Sequence, residues 1–480
     1  MSSMNQVLET PAGDTRRPSA EQIQTFAPRP PRAELIARGE AMRKKCPRGS
    51  HADWSAPRDR PNPLQLIEEA NVGRIPDLIP LRHGRMLPSP FTFYRGTALN
   101  MAVDLAGTPS TGFRVQACGD AHLGNFRCFA TPERRVIFDI HDLDETLPAP
   151  WEWDVKRLAA SFVVACRDSG FSDNVARDAV RTCVQSYREA MARFSVMRAL
   201  DVWYARFEAE KLIEDIGDAG IRARSRKSLD KAKNECIVED IFPKLAHGSA
   251  EAPTIKDNPP FIYHHLERGE EEFYQRIDDV FSRYRESLPD DRRVLLDRYA
   301  VKDKAIKVVG VGSVGTVCSV ALLMAGVKDP LFLQVKEART SVLAQHAGPS
   351  IYPNHGQRVV KGHRLMQSAS DIFLGWTQDT SGRHFYVRQL RDMKLKFRIE
   401  EFKPAKMVIF AEWCGGTLAR AHARSGEPAV ISGYLGKADT FDRAIADFAV
   451  SYADQVESDY ECFTKGVRDG KIEARLDDDV

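Results

Sequence analysis

Strand-like sequence is confined to two parts of the chain, and a long region of helical spacing separates them. The first part contains FRVQACGD, FRCFA and VIFDIHD, and the second begins near Lys304 with KAIKVVGVGSVGTVCSVALLMAG and LFLQVKEA. Between Pro150 and about Leu296 apolar residues recur at helical intervals, and further helices are expected near the C-terminus. Strands and helices grouped in this way predict an α+β fold.

The bulk composition is that of an ordinary globular chain. Its 480 residues predict two or three domains, and a net charge of +2 creates no general attraction for nucleic acid or membrane surfaces. The start lacks a signal-peptide core and no apolar run reaches about 18 residues, so we expect a soluble cytoplasmic protein. The nine cysteines form no C-x-x-C pair, which indicates reduced thiols. An anionic ligand must therefore be bound by a local site.

The segment CGDAHLGNF concentrates polar side chains between two apolar strands. Gly119, Asp120, His122 and Asn125 lie within residues 118–125, hereafter the polar loop. A strand-to-loop turn accounts for such a segment equally well, because Asp and Asn side chains bond nearby backbone groups. The polar loop alone therefore does not decide between a turn and a functional site.

A second acidic segment follows at HDLDE, residues 141–145, hereafter the acidic loop. If FRCFA and VIFDIHD pair around a TPERR turn, Asn125 lies opposite His141, and Asp142 projects just beyond it. One amide and one carboxylate oxygen on neighbouring backbones suit a Mg²⁺ ion that takes its other ligands from phosphate and water. Asp139, Asp144 and Glu145 rank below Asp142 as ligands, although which aspartate binds metal stays open.

The third candidate is GVGSVGTV, which matches G-x-G-x-x-G-x-V and includes Gly310, Gly312, Ser313 and Gly315. A dinucleotide-binding turn competes for this pattern, since glycines admit phosphates to backbone N–H groups in both cases. The β-branched TVCSV that follows favours a strand over a helix, so we predict a hairpin around residues 310–315, hereafter the glycine loop. Lys336, near the end of the next strand, could then reach nucleotide phosphates; the alternative is an edge-strand lysine in solvent.

Together these residues resemble the protein-kinase-like superfamily, and most closely its aminoglycoside and choline phosphotransferase branch. That branch has an H-G-D-x-H-x-x-N loop and then a strand ending in Asp, a hydrophobic residue and Asp or Glu. The matching positions here are Gly119, Asp120, His122, Asn125, Asp142, Leu143 and Asp144. Through RMLPSPFTFYRG, CGDAHLGNF, VVGVGSVGT and FYVRQLRDMK the chain also resembles a bacterial family known only as domain of unknown function 2252, a name that supplies no activity.

The order of these parts differs from that of an ordinary kinase. The glycine loop and Lys336 follow Asp120, whereas in kinases they precede it, so the resemblance implies a circular permutation. The helix around EWCGGTLARAHARSG resembles the helix that precedes the catalytic loop in phosphotransferases. The segment TALNMAVDLAG, which does precede the polar loop, competes for that position.

The resemblance implies a role for each candidate residue. Asp120 accepts the proton of a substrate hydroxyl, and His122 orders the polar loop. Asn125 and Asp142 hold Mg²⁺, while Lys336 and the glycine loop (Gly310, Gly312, Ser313, Gly315) position ATP. Asp154 braces the polar loop from the following helix, in a structural role.

Two departures from the family pattern bear on activity. Kinases pair the strand lysine with a glutamate on the next helix, yet Ala338 to Ser370 contains no acidic residue, and Glu337 and Asp371 only flank the gap. Gln357 or Gln367 lies within it, so the ion pair is either absent or rebuilt. Cys118 replaces the first His of the H-G-D pattern, a change we expect to be tolerated.

The domain organisation expected on this basis is a permuted two-lobed fold, with a small β-rich nucleotide lobe and a larger helical lobe. Its parts are a loosely ordered arm at 1–60 with one short helix near Ala33 to Lys44, the polar and acidic loops of the helical lobe at 61–200, a helical insert at 201–300, the nucleotide lobe at 301–395 and C-terminal helices of the helical lobe at 396–480. The charged runs IRARSRKSLDKAK and ERGEEEFYQRIDD in the insert are expected to be solvated helix faces.

The favoured function is therefore an ATP- and Mg-dependent phosphotransferase that acts on a hydroxyl of an unidentified small molecule or protein. Three alternatives stay open: a pseudokinase or nucleotide-binding module, an AMP transferase that uses the same residues, and a metal-dependent phosphoesterase built on the D-x-H pair of GDAH. The last also needs further histidine motifs, and NHG at 354 and GHR at 362 fit them poorly. The acceptor substrate cannot be read from the residues.

Overall fold

The chain folds into one six-stranded antiparallel sheet, three two-stranded pairs and a large helical body. The computed structural model describes residues 29–234, 240–248, 252–264, 279–390, 393, 395 and 397–477. The predicted α+β class is confirmed. No helix within these ranges is long and apolar enough to cross a membrane.

Helices dominate the first half of the chain, interrupted by two short strand pairs. In chain order the elements are α1 (Arg32–Met42), α2 (Pro63–Asn71), α3 (Ile79–Met86), α4 (Pro90–Gly96), α5 (Ala98–Ala106), β1 (Arg114–Ala117), β2 (Phe126–Ala130), β3 (Val136–Ile140), β4 (Leu147–Pro150), α6 (Trp151–Asp168) and α7 (Asp173–Phe194). β1 pairs with β4 and β2 with β3, both antiparallel. The pairing of β2 and β3 around residues 131–135 confirms the predicted hairpin.

The middle of the chain is less regular. Its elements are α8 (Ala199–Tyr204), α9 (Ala209–Glu214), α10 (Ala219–Asn234), α11 (Phe242–Leu245), β5 (Ala246–Gly248), β6 (Pro253–Ile255), β7 (Ile262–Tyr263) and α12 (Asp290–Leu296). β5 pairs with β6, and β7 joins the edge of the large sheet.

The sheet and the C-terminal helices complete the fold. They comprise β8 (Ala300–Lys307), β9 (Cys318–Met324), β10 (Pro330–Glu337), α13 (Ala344–Ala347), α14 (His355–Met366), β11 (Gly375–Gln378), β12 (His384–Gln389), α15 (Pro404–Ser425), α16 (Pro428–Leu435) and α17 (Thr440–Arg468). The strand order is β11-β12-β10-β9-β8-β7. β8 and β9 flank the glycine loop as an antiparallel hairpin, and Lys336 lies near the end of β10; both predictions are confirmed.

The helical body forms around its long helices, α6, α7, α15 and α17, which share one apolar core. The sequence of α7 shows why: its buried residues recur at three- and four-residue steps and form one stripe. They are Ala176, Ala179, Val180, Cys183, Val184, Tyr187, Ala190, Met191 and Phe194. The stripe packs most extensively against α15.

The sheet sorts its side chains by strand alternation. On β10, Leu331, Leu333 and Val335 pack into a cluster with Tyr284 and Leu296. Gln334 and Lys336 therefore project from the opposite face. Their cross-strand partners on β12 are Arg388 and Tyr386, so four polar side chains share one patch of that face.

Two domain expectations need correction. Residues 29–60 are not a loose arm, because α1 packs against α16 through Leu35 and Val430, and His51 is fully buried. The expected short helix near Ala33 to Lys44 is present as α1. Residues 1–28 lie outside the described part of the chain.

The insert at 201–300 is not wholly helical either. It contains the β5–β6 pair, and Ile241, Leu245, Ile255 and Ile262 pack against β8, β9 and β10, so the sheet unit begins well before residue 301. Tripeptide strands such as AHG and PTI are too short to show a period. The run IRARSRKSLDKAK lies on α10 with mostly exposed side chains, as predicted, whereas ERGEEEFYQRIDD falls outside the described residues except at its end.

Close packing of α15 on α7 gives a prediction about stability. A Cβ at Gly415 would lie 1.9 Å from the carbonyl oxygen of Cys183, so Gly415→Ala must push the two helices apart. We expect the free energy of unfolding to fall by about 1–3 kcal/mol, even though alanine is roughly 1 kcal/mol more favourable than glycine within a helix.

Denaturant titration of the variant beside native protein measures this change. Gly217→Ala is the matched control, because a Cβ there meets no atom within 4 Å. If Gly415→Ala unfolds at the native midpoint, the helices do not approach this closely.

Candidate functional site

The polar loop is fixed from behind by the first turn of α6. Asp154 accepts hydrogen bonds from the backbone N–H groups of Cys118, at 2.6 Å, and Gly119, at 3.0 Å. On its other side the Asp154 carboxylate lies 3.0 Å from Nε2 of His422 on α15. Asp154 thus braces the polar loop, as the resemblance implied.

Asp120 projects from this braced loop and is itself held by an arginine. Arg157, one turn beyond Asp154 on α6, donates from Nε to Asp120 Oδ1 at 2.6 Å, and its own side chain is 2% exposed. The Asp120 side chain is 21% exposed. Arg157 therefore fixes one carboxylate oxygen, and Asp120 keeps access to solvent.

His122 orders the polar loop through a hydrogen bond and carries no charge. Its Nδ1 accepts a hydrogen bond from the backbone N–H of Gly124 at 3.1 Å. Burial lowers the pKa of His122 from 6.5 to about 3, so the imidazole is neutral at physiological pH. Its Nε2 lies 3.9 Å from Asp120 Oδ2, beyond hydrogen-bond distance.

The predicted register between the two loops is confirmed. Phe126 pairs with Ile140, and the N–H of His141 donates to the carbonyl of Asn125 at 2.8 Å, which places Asn125 opposite His141. The Asn125 side chain donates from Nδ2 to the carbonyl of Asp120 at 2.7 Å. This bond fixes the amide and turns its oxygen away from that carbonyl.

The acidic loop meets Lys336 from the sheet. The Lys336 Nζ lies 2.6 Å from Asp144 Oδ2 and 3.5 Å from Asp142 Oδ1, and the lysine side chain is only 2% exposed. Tyr386 on β12 donates its hydroxyl hydrogen to the other oxygen of Asp144. Asp142 is about one third exposed, and its Oδ1 accepts no hydrogen bond.

The surrounding charges shift the pKa values of Asp142 and Asp144 in opposite directions. Desolvation works against ionisation of Asp142, but Lys336 and Arg388 outweigh it and hold the pKa of Asp142 well below 3.8. Desolvation and the charge of Asp142 together raise the pKa of Asp144 above 3.8. Asp142 is therefore the stronger anion of the pair and the better cation ligand.

The other two acidic candidates are engaged in structural contacts. Asp139 is fully buried, where it pairs with Arg420 of α15 and accepts from the backbone N–H and hydroxyl of Ser368 at 2.9 and 2.8 Å. Glu145 accepts from the backbone N–H of Val342 at 2.7 Å. Neither carboxylate joins the group around Lys336.

The glycine loop lies directly over the acidic loop. Ser313 Oγ is 3.5 Å from Asp144 Oδ2. Residues that precede the polar loop in the chain hold the glycine loop in place: the N–H of Ile75 donates to the Gly315 carbonyl at 2.7 Å, and Arg85 donates to the Gly310 carbonyl at 3.0 Å. Gly310 and Gly315 have φ of 66° and 85°, in the left-handed region where only glycine is unstrained.

The helix after Lys336 brings an arginine instead of a glutamate. Arg358 of α14 is buried and donates to the carbonyl oxygens of Asp144, at 2.8 Å, and Thr146, at 2.6 Å. Gln367 donates to the carbonyl of Ile140 at 2.7 Å. Glu337 accepts a hydrogen bond from the backbone N–H of Val317, and Asp371 accepts one from the backbone N–H of Phe373. The carboxylates that pair with Lys336 come instead from the acidic loop.

Sequence reasoning did not single out the cations and the phenol that complete this site. Arg157, Arg358 and Tyr386 contact the predicted residues directly, and Arg95, Arg127 and Arg388 lie around Asp142. One signal was present: Arg127 and Arg388 interrupt otherwise apolar strands, FRCFA and HFYVRQL, at positions adjoining Asn125 and Lys336.

The donor set fits a Mg²⁺ ion that is completed by phosphate. Asn125 and Asp142 would supply one amide and one carboxylate oxygen, and Asp142 Oδ1, which lies 3.5 Å from the Lys336 ammonium, accepts no hydrogen bond. Across the described ranges, no group of three or more His, Cys, Asp or Glu side chains could hold a metal by itself. Mg²⁺ is commonly held by one or two protein oxygens together with substrate phosphates and water.

Comparison with known proteins identifies a family without an assigned activity. The family model described as an uncharacterized protein conserved in bacteria, DUF2252, matches residues 74–466. The match includes the polar, acidic and glycine loops and Lys336. No curated protein and no solved structure matches the chain.

Buried neutral histidines around the site predict acid sensitivity. Burial lowers the pKa of His363 on α14 from 6.5 to about 3, so between these values the unfolded chain binds a proton that the folded chain does not. Stability present above pH 6.5 is therefore lost as the pH falls, by at most about 1.4 kcal/mol per pH unit for this residue.

Denaturant titrations between pH 7 and pH 4 should show that His363→Gln reduces this slope. The exposed His346, replaced by Gln, serves as the matched control. An identical slope in native protein and His363→Gln would mean that His363 takes up its proton in the folded state.

Proposed function

We propose that this chain, which belongs to the bacterial family DUF2252, is an ATP- and Mg-dependent phosphotransferase that acts on a hydroxyl group. The observation that carries the proposal is the convergence at Lys336. Its Nζ lies 2.6 Å from Asp144 and 3.5 Å from Asp142, although the lysine is about 190 residues away from both aspartates in the sequence. Phosphoryl transfer from a nucleotide requires a lysine near the phosphates, an acidic loop that binds the metal ion and a polar loop that carries the catalytic aspartate, and this site contains candidates for all three.

The packing of α15 supports a kinase-like fold in permuted order. The end of α15 adjoins β1, where the N–H of Gln116 donates to the Ser425 hydroxyl at 3.0 Å. A chain that ran from the sheet through α15 into β1 and the polar loop would have the usual kinase order. α15 also contacts Asp154 through His422, whereas α5 packs on α2, which favours α15 as the helix that precedes the polar loop in that order.

The chain's own residues would divide the reaction between them. Asp120, oriented by Arg157, would accept the proton of the attacking hydroxyl. Lys336 and the backbone N–H groups of the glycine loop would position and neutralise the transferred phosphates. Asn125 and Asp142 would hold Mg²⁺, which when bound supplies positive charge to the phosphate oxygens. His122 would keep the polar loop in shape.

The Asp144–Lys336 pair bears on the alternative of a pseudokinase. An ordinary kinase pairs its lysine with a glutamate on the next helix, whereas Lys336 pairs here with Asp144 of the acidic loop. Arg358, on the helix that follows Lys336, donates instead to the carbonyl oxygen of Asp144. A rebuilt ion pair favours turnover over a purely binding module. AMP transfer would use the same groups with the nucleotide reversed, so it stays an alternative outcome.

A metal-dependent phosphoesterase receives less support. His122 Nδ1 already accepts a hydrogen bond from Gly124, and His355 of the NHG segment lies on α14 beside Thr340. The part of the chain that the structure describes holds no cluster of three metal-binding side chains around the D-x-H pair. The phosphotransferase is therefore the function we put forward.

Nucleotide binding by site variants tests the proposal. Isothermal titration calorimetry should show ATP binding that needs Mg²⁺, and Asp142→Asn and Lys336→Met should each weaken it at least about tenfold, or 1.4 kcal/mol. Lys302→Met, at an exposed lysine on β8, is the matched control and should bind like native protein. Asp120→Asn should still bind ATP but lose about two to four orders of magnitude in turnover.

Two results would contradict the proposal. Native protein that binds no ATP in Mg²⁺ would rule out the phosphotransferase, and ATP binding unchanged in Asp142→Asn and Lys336→Met would move the site elsewhere. ATP binding without turnover over a panel of hydroxyl substrates would favour the pseudokinase. Mass spectrometry of modified acceptors separates phosphoryl from AMP transfer.

A further inference from the structure

Cations outnumber acids in the cleft around Asp142. Besides Lys336, the sheet contributes Arg388 of β12, which donates to the carbonyl of His141 at 3.2 Å and to the Gln334 side chain at 3.3 Å. The guanidinium thus lies against the backbone of the acidic loop. Arg388 and Lys336 project from the same face of neighbouring strands, two residues apart in register.

Two further arginines approach from the helical body. Arg127, on β2, donates from Nε to the carbonyl of Gly124 at 3.4 Å. Arg95, at the end of α4, has its Nε 3.7 Å from the position that a Cβ on Gly124 would occupy. The Arg95 carbonyl oxygen is 3.2 Å from the corresponding position on Gly312, so residue 95 spans the polar loop and the glycine loop.

One of these groups has no partner within the described chain. The Arg95 Nε is buried and meets no acceptor. Desolvation lowers the pKa of Arg95, and the charges of Asp120, Asp142 and Glu400 oppose that effect. A buried donor of a cation that meets no acceptor is costly, so Arg95 is better satisfied by an additional anion.

Among the described residues around Asp142, cations outnumber acids by one. The five cations Lys336, Arg388, Arg127, Arg95 and Arg157 face the four acids Asp120, Asp142, Asp144 and Glu400. A Mg²⁺ ion on Asn125 and Asp142 would add two more positive charges. A chain of phosphates, with several negative charges and many acceptor oxygens, is the ligand that balances this set.

The part of the sheet face directly next to Lys336 offers little apolar surface to a purine base. Bases bind in pockets lined mainly by apolar side chains with a few polar groups. Here Gln334 and Arg388 occupy the face next to Lys336, and Gln334 is itself bound by donating to the Cys318 sulfur at 3.3 Å. These side chains fill the surface with hydrogen-bonded polar groups.

We propose that the cleft recognises the phosphate chain of its ligand and not the base, so that magnesium tripolyphosphate binds as well as magnesium nucleoside triphosphates. Arg127 and Arg388 are the residues that confer this preference, one on each side of Asp142. The inference rests on the proposed function, since it names the ligand class of the same site, but its test has different outcomes.

Competition on the native protein tests the proposal without any variant. With Mg²⁺ present, the Kd values for tripolyphosphate, ATP and GTP should agree within about tenfold, and adenosine should not displace ATP. Affinity for all three should fall steeply with added salt, because the contacts are between charges. If ATP binds more than about a hundredfold tighter than tripolyphosphate and adenosine competes, base recognition holds and our inference is wrong, while the proposed function stands.

Variants locate the preference. Arg127→Gln and Arg388→Gln should weaken tripolyphosphate and ATP by the same factor, at least about tenfold. Arg398→Gln, at a side chain that is 71% exposed, is the control that should leave both affinities unchanged. A variant that weakens ATP but not tripolyphosphate would overturn the inference, and native protein that binds neither ligand would remove the proposed function with it.

Discussion

One buried ammonium group fixes the geometry on which the rest of the site depends. Lys336 is 2% exposed, and an ammonium in such surroundings is stable only beside carboxylates. Both of its acidic partners, Asp142 and Asp144, come from a loop of the helical body, and together they raise the pKa of Lys336 despite desolvation. This ion pair therefore joins the sheet to the helical body at the acidic loop.

Buried arginines turn that contact into a rigid framework. Arg157 holds Asp120, Arg358 binds the carbonyl oxygens of Asp144 and Thr146, and Arg420 pairs with Asp139. Each side chain is at most 2% exposed, and each joins elements that are distant in sequence. Because a guanidinium presents several donors in a fixed plane, it can hold a loop at more than one point. The loops that carry Asp120 and Asp142 are thereby positioned before any ligand binds.

Local pattern sufficed for part of this arrangement. Strand alternation and the TPERR turn predicted that Asn125 lies opposite His141, and the β-branched run after the glycines predicted a hairpin leading to Lys336. Contacts between distant segments could not be derived in this way: nothing local indicates that α1 packs on α16, or that Arg95 reaches the polar loop. The ion pair between Lys336 and Asp144 was hidden for the same reason, since the two residues meet only after folding. The strand Leu147–Pro150 was missed because its two prolines argue against strand.

A crystal structure of the native chain with Mg²⁺ and a non-hydrolysable ATP analogue tests most directly whether the cleft beside Lys336 is a magnesium–phosphate site. Our account predicts phosphate oxygens within hydrogen-bond distance of the Lys336 ammonium, and a Mg²⁺ ion whose protein ligands are Asn125 and Asp142. Phosphates bound at any other place, with the Lys336–Asp144 pair unchanged and no ion on Asp142, would contradict it.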